Sequence, residues 1–233
     1  MRIKRTTAII VSGGSGSRFS LSRKKQFQKI KNKYLLAHSI YPFQKSPIID
    51  EIILVVPAED LIFAKRAIVD RSRYTKVTAI VSGGEQRQDS VREGLRCVDK
   101  SPDFIFVHDG VRPFVKISEI EKAFGLVRKK GAVIFATGAK NTVKRVSGNG
   151  KILKTYPRDE IWEAHTPQIF RYDWLIEAYE NAYRKQYYAT DDSALVEKIG
   201  KPVTVFPCSN MNMKITYPSD LDLAKKIFET WRY

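Results

Sequence analysis

Cysteine and histidine are scarce in this 233-residue chain: two cysteines, Cys97 and Cys208, and three histidines, His38, His108 and His165. Two cysteines without a metal-type spacing exclude a disulfide scaffold and fit a reducing compartment, so the expected location is cytoplasmic. The histidines are far apart in sequence, and no HExxH or paired His–Cys spacing occurs, which excludes a zinc site of the usual kinds. Long apolar runs are missing too. Nothing approaches the roughly 20 residues of a membrane helix, and the apolar stretch near the N-terminus is too short for a secretion signal. There is no internal repeat and no low-complexity linker, so a single domain over 1–233 is expected.

Acidic residues are the other deficit. Lys and Arg total 41 against 25 Asp and Glu, a formal charge of +16. Such an excess attracts polyanions: nucleic acid, an anionic membrane or phosphorylated small molecules. The cations are spread along the chain with no basic tail, and part of the excess is expected to be solvated surface. Hydrophobic residues make up 43% of the chain, enough to build a core.

Short β-branched runs alternate with helical periodicity. Strands are predicted at Thr6–Val11, Glu51–Val56, 77–81, 104–107 and 132–137. Helices are predicted at 34–43, 58–72, up to about Cys97, and at 117–130. This rhythm predicts an α/β fold, a Rossmann-like, doubly wound, mostly parallel sheet. The segment NTVKRVSGNGKILKTY then alternates around Gly148-Asn149-Gly150 and reads as a β-hairpin. It interrupts the rhythm, so it is expected to project as an arm over about 139–158. Helices at 172–184, 191–199 and 218–231 and strands at 203–206 and 211–215 complete the expectation.

Ligands of such sheets bind beyond the carboxyl ends of the strands. Three polar loops directly follow predicted strands there. The first is Ser12-Gly13-Gly14-Ser15-Gly16-Ser17-Arg18, with Lys24 and Lys25 behind it. Glycines let backbone N–H groups approach an anion, and Arg18 and Lys25 add charge suited to a triphosphate. A tight structural turn is the plainer reading, because neither a Walker A pattern nor a full dinucleotide fingerprint is present. The second loop is Gly83-Gly84-Glu85 with Arg87 and Ser90, where Asp89 or Ser90 also suits a helix start. The third is His108-Asp109-Gly110-Val111-Arg112-Pro113. Asp109 suits a ribose or a metal and Arg112 a phosphate, or the two pair to hold their own turn; His108 reads as structural. Lys214 interrupts the apolar MNMKIT, where it needs an anion or an outward path to water.

The ordered segments SGGSGSRF…KKQF, GGEQRQDSV, VHDGVRPF, NTVKR, HTPQIF, TDDSALVE and MKITYPSDL together resemble the 2-C-methyl-D-erythritol 4-phosphate cytidylyltransferases. The resemblance implies transfer of CMP from CTP to a polyol phosphate, with Mg²⁺ or another divalent cation as cofactor. By that likeness Ser12, Gly13, Gly14 and Gly16 cover the nucleotide, and Arg18, Lys25 and Lys214 are the catalytic cations. Gly84, Glu85 and Ser90 recognise cytidine. Asp109 lies on the ribose and metal side. Arg112, Thr142, Arg158 and Thr166 form the polyol phosphate pocket. The resemblance also implies a homodimer in which the hairpin arm helps complete the neighbour's site, and no nucleic-acid or membrane partner.

The chain departs from the family pattern at Ser12-Gly13, where Ala-Ala is usual, at Lys24, where Pro is usual, and at Glu85, where Asp is common. Two alternatives stand beside this reading: transfer to ribitol 5-phosphate or another sugar phosphate, and a basic nucleic-acid-binding module.

Overall fold

A computed structural model describes residues 5–13, 24–99 and 101–233. Its elements run β1 (Thr6–Val11), β2 (Lys29–Ile30), β3 (Lys33–Tyr34), α1 (Leu35–Lys45), β4 (Glu51–Val56) and α2 (Leu61–Phe63), which widens into a π-helical stretch over Ala64–Asp70. Then follow β5 (Val77–Ser82), α3 (Arg87–Arg96), β6 (Phe104–Asp109), α4 (Ile117–Lys130), β7 (Ala132–Gly138), β8 (Val143–Val146), β9 (Ile152–Tyr156), β10 (Trp162–Arg171), α5 (Tyr172–Arg184), α6 (Asp192–Lys198), β11 (Thr204–Pro207) and α7 (Pro218–Thr230).

Seven strands form one sheet in the order β11-β7-β10-β6-β1-β4-β5. β10 is antiparallel to both neighbours, β6 and β7, and every other pairing is parallel. The mixed α/β sheet therefore carries the expected Rossmann-like architecture. The central strands are apolar without alternation because both of their faces are covered. Ala8 and Ile10 of β1 and Leu54 and Val56 of β4 pack with residues of α1 and α4. Their neighbours Ile9, Val11, Ile53 and Val55 face α3, α5 and α6 on the other side. Gly94 lets α3 cross close to the sheet: a Cβ there would stand 2.5 Å from Ile9 Cγ2.

Two sequence expectations require correction. β10 was not anticipated, although it lies next to the sheet's middle. Conversely, residues 211–215, expected as a strand, join no sheet and form an irregular segment that begins in a turn. Ile215 in that segment donates its N–H to the Val111 carbonyl at 3.0 Å, and its fully buried side chain packs among Ile30, Phe114, Leu221 and Phe228. This third cluster, closed by α7, pins the loop after β6 and the segment carrying Lys214 to each other.

The expected hairpin is present as β8 and β9, a two-stranded sheet apart from the main one. Gly150, at φ +84°, supplies the left-handed residue of its turn. Val146, Ile152 and Leu153 on the hairpin are all at least half exposed. No helix among the described residues is long and apolar enough to cross a membrane.

Candidate active site

The loops after β1, β5 and β6 meet at one rim of the sheet, joined there by the early part of antiparallel β10. Small residues allow the approach. A Cβ on Gly83 would lie 2.7 Å from Ser90 Oγ and 3.2 Å from Gly13 Cα, so the first and second loops touch through backbone. Gly110 sits against Ser12 in the same way, with Ser12 Oγ 3.0 Å from where its Cβ would stand. Ser90 is buried and donates to the Gln86 carbonyl, while Asp89 closes a capping box with Gln86. Ser90 thus packs between the glycine loops and Asp89 starts α3. Gly84 and Glu85 are exposed at the mouth of this rim.

Asp109 is the electrostatic centre. Its carboxylate is only 7% exposed and accepts from Arg87 Nε at 2.9 Å, Lys214 Nζ at 2.9 Å and Arg112 Nε at 3.4 Å. Burial alone would raise its pKa, but Arg87, Lys214 and Arg112 more than offset that and hold it well below the usual carboxylate range. Arg87 also reaches Asp192 at 2.8 Å, and Asp192 accepts from Tyr179 Oη at 2.5 Å. Arg112 donates in addition to the Asn212 carbonyl at 2.9 Å. Three cations facing two carboxylates leave a positive balance, and Lys214, 37% exposed, presents it to solvent.

A chain of hydrogen bonds fixes Asp109 from behind. Its N–H donates to Thr166 Oγ1 at 3.0 Å, and Thr166 Oγ1 lies 3.0 Å from His108 Nδ1. His108 Nε2 faces the Arg112 carbonyl at 3.1 Å. A carbonyl only accepts, so Nε2 carries the proton and Nδ1 accepts from the Thr166 hydroxyl. Burial lowers the His108 pKa to about 3 and keeps the ring neutral, in line with its structural reading. Gln168 extends the scaffold: its Oε1 accepts from the N–H groups of Asp192 and Ser193, and its Nε2 donates to Asp191 at 2.7 Å.

Beside this hub opens a cleft of about 500 Å³, whose lining includes Arg112, Thr137, Thr142, Glu163, His165 and Lys214. The structure thus brings Arg112, Thr142 and Lys214 to one cavity. Thr166 sits buried behind Asp109, and Arg158 lies outside the cleft, 61% exposed and 3.8 Å from Asp159. Lys25 lies in a short turn tied to the rim, since neighbouring Gln26 donates to the Ser12 carbonyl at 3.0 Å. Lys24, the residue that departs from the family pattern, pairs with Glu59 and with Asp60, the latter at 2.6 Å. It anchors the Lys25 turn to the segment entering α2. Gly14, Gly16 and Arg18 lie outside the described residues.

Three buried polar atoms around Asp109 have no partner among the described residues: Ser12 Oγ, Arg87 Nη2 and Asn212 Oδ1. Leaving such groups unpaired is costly, so each calls for a partner that a bound ligand, ion or water would supply. For a divalent cation the donor set is thin. Among the described residues no group of three or more His, Cys, Asp or Glu converges, and both Asp109 oxygens already accept. The arrangement fits Mg²⁺ held by one carboxylate oxygen and otherwise by phosphates and water. Sequence reading did not foresee Asp192, Tyr179, Gln168 or Asn212, which belong to this network from remote positions.

Cations gathered on one buried carboxylate at the strand-end rim of a doubly wound sheet define a phosphate-handling α/β enzyme. The comparisons narrow this. The family profile described as 2-C-methyl-D-erythritol 4-phosphate cytidylyltransferase matches residues 6–230. A relative of that name from Syntrophus aciditrophicus is 44% identical over 221 residues, covering 95% of this chain and 94% of its own. One from Clostridioides difficile is 41% identical, covering 95% and 92%. Among solved structures, the 4-diphosphocytidyl-2C-methyl-D-erythritol synthase of Anaerococcus prevotii superimposes with a TM-score of 0.85 at 29% identity, over 97% of this chain and 96% of that one. The chain belongs to the 2-C-methyl-D-erythritol 4-phosphate cytidylyltransferase family.

Proposed function

We propose that the chain transfers CMP from CTP to 2-C-methyl-D-erythritol 4-phosphate and releases pyrophosphate. The carrying observation is the excess of cations around Asp109, opening through Lys214 and Arg112 into a cleft sized for a small phosphorylated acceptor. An oxygen of the acceptor phosphate attacks the α-phosphorus of CTP. The bond from that phosphorus to the bridging oxygen breaks, and pyrophosphate leaves with the electron pair. A phosphate monoester has its second pKa near 6 and is largely dianionic at neutral pH, so no general base is needed. The neutral His108 fits this.

What must be overcome is repulsion between dianion and triphosphate. Arg112 would hold the acceptor phosphate, and Lys214 would leave Asp109 to meet charge developing at the α-phosphate. Lys25 and Arg18 would neutralise the triphosphate. Ser12, Gly13, Gly14, Gly16, Gly84, Glu85 and Ser90 would shape the nucleotide side, and Thr142 and Thr166 the acceptor side. Mg²⁺ held by Asp109 and the phosphates would supply neutralisation of the leaving pyrophosphate. The protein would act in the cytoplasm.

Pyrophosphate release from CTP and Mg²⁺ tests the reading, with methylerythritol phosphate and ribitol 5-phosphate supplied separately. Release is expected with the first acceptor; release with only the second would overturn the substrate, and release with neither would overturn the reaction.

The arm carries a second element of the proposal. Val146, Ile152 and Leu153 leave a half-exposed apolar surface on the arm, and among the described residues Arg158 at its base pairs only with Asp159. A second copy would cover the arm and receive Arg158 at its acceptor pocket. Light scattering should give the mass of a dimer, and Ile152→Asp with Leu153→Asp should shift it toward monomer and weaken acceptor binding. A wild-type monomer at full activity would exclude the arrangement.

A further inference from the structure

A second basic cavity lies away from the rim. It is a cleft of about 530 Å³ between the β2–β3 hairpin, the outer face of α1 and the chain that follows the π-helical stretch. It shares no lining residue with the catalytic cleft. Its lining includes Lys29, Lys31, Lys33, Lys45, Arg71 and Arg73 and not one Asp or Glu.

None of these six cations pairs with a carboxylate among the described residues, in contrast to Lys24, Lys65, Arg87 and Lys214, which all do. Instead Lys29 lies 5.1 Å from the Tyr34 ring centroid, and Lys33 and Lys45 lie 5.8 and 6.0 Å from that of Tyr41. The walls are fixed. Tyr74 is buried and donates its hydroxyl to the Ala37 carbonyl at 2.7 Å. Lys31, Asn32 and Arg73 are held at φ of +46°, +64° and +54°. Non-glycine residues adopt that region uncommonly. Like charges collected on such turns, without acids to offset them, repel one another and set up a local field that attracts an anion.

We propose that this cleft is a second ligand site, for a small molecule carrying two or more linked phosphates. One phosphate would be held by the hairpin lysines and another by Arg71 and Arg73, whose forked donors suit phosphate oxygens. The bounded volume, on the scale of small-ligand pockets, favours this over a nucleic-acid strand, which would need a basic track running on beyond the cleft.

The probe is inorganic tripolyphosphate, titrated calorimetrically into the full chain. A 20-nucleotide single-stranded RNA is the comparison arm. Wild type should bind tripolyphosphate at two sites per chain. Lys33→Glu with Arg71→Glu should remove one site, lowering its affinity at least tenfold, and leave cytidylyl transfer and the unfolding midpoint unchanged. Lys214→Ala should weaken the other site only. Three results would overturn the proposal: a single site weakened by Lys214→Ala alone, binding indifferent to the Lys33 and Arg71 changes, or RNA binding through those residues without tripolyphosphate binding.

Discussion

Replacing Lys214 by alanine is expected to lower kcat at least 100-fold, about 3 kcal/mol of transition-state stabilisation, as for loss of one preorganised donor. The physical basis is the dual environment of its ammonium. At rest it lies 2.9 Å from Asp109, yet its side chain is 37% exposed and lines the cleft. It can therefore pass from one anion to another without entering an apolar medium. A group that held the phosphate equally in ground and transition states would change KM and kcat/KM and spare kcat. A group that meets charge arising in the transition state lowers kcat itself. Lys214→Arg should rescue little, because a planar fork does not reproduce a compact point charge. Folding should be nearly unaffected, since Asp109 keeps Arg87 and Arg112. Steady-state rates at saturating CTP and acceptor decide the matter, and a kcat within threefold of wild type would remove Lys214 from the chemistry.

Much of the rim was legible in the sequence because its parts are local. β1, β5 and β6 read as short apolar runs ending in polar loops, and each loop lies where its strand delivers it. The loop glycines read as close-approach positions, and Gly13 against Gly83 is such an approach. β10 was illegible for a physical reason. Its sequence WEAHTPQIFR contains Pro167, which lacks a ladder donor and argues against an inner strand. The structure accommodates it where pairing with β7 shifts register between Ala164 and Gln168. The opposite error at 211–215 came from reading apolar spacing as a ladder, when the segment is held to the rim without a partner strand, by Ile215 N–H on the Val111 carbonyl, the Asn212 carbonyl on Arg112 and Lys214 on Asp109. The hub around Asp109 shows the same limit. Arg112 is three residues away and was read as a partner, but Arg87 is 22 residues away and its other anion, Asp192, 105 from it. No local pattern reports pairs at such separations. The residues themselves offered Asp109 and Lys214 as candidates and the family resemblance gave them roles; neither supplied Arg87 and Asp192, the remote charges that help set their state.

Those counter-charges give Asp109→Asn the largest expected effect on stability, a loss of about 3–5 kcal/mol, as when one member of a buried ion pair is removed. The amide keeps the size of the side chain, but its oxygen alone can accept, and it carries no charge to offset Arg87, Arg112 and Lys214. Arg87 retains Asp192; among the described residues Arg112 retains the Asn212 carbonyl and no carboxylate. The pH dependence separates this from a packing defect. The folded pKa of Asp109 is depressed, so its stabilisation is complete above the unfolded value, near 3.9, and is lost as pH falls through the folded one. His108 acts over a higher window. Its pKa falls from 6.5 to about 3 on folding, so the unfolded chain binds a proton first and stability declines as pH drops below about 6.5. Wild type should thus weaken gradually from pH 6.5 and more steeply below about pH 4. Asp109→Asn should start lower, retain the gradual decline and lose the Asp109 share of the steep one. Urea midpoints at pH 7, 5 and 3.5 measure all three, and a loss under 1 kcal/mol at pH 7 would mean that the cations at this rim do not depend on Asp109 for their place in the fold.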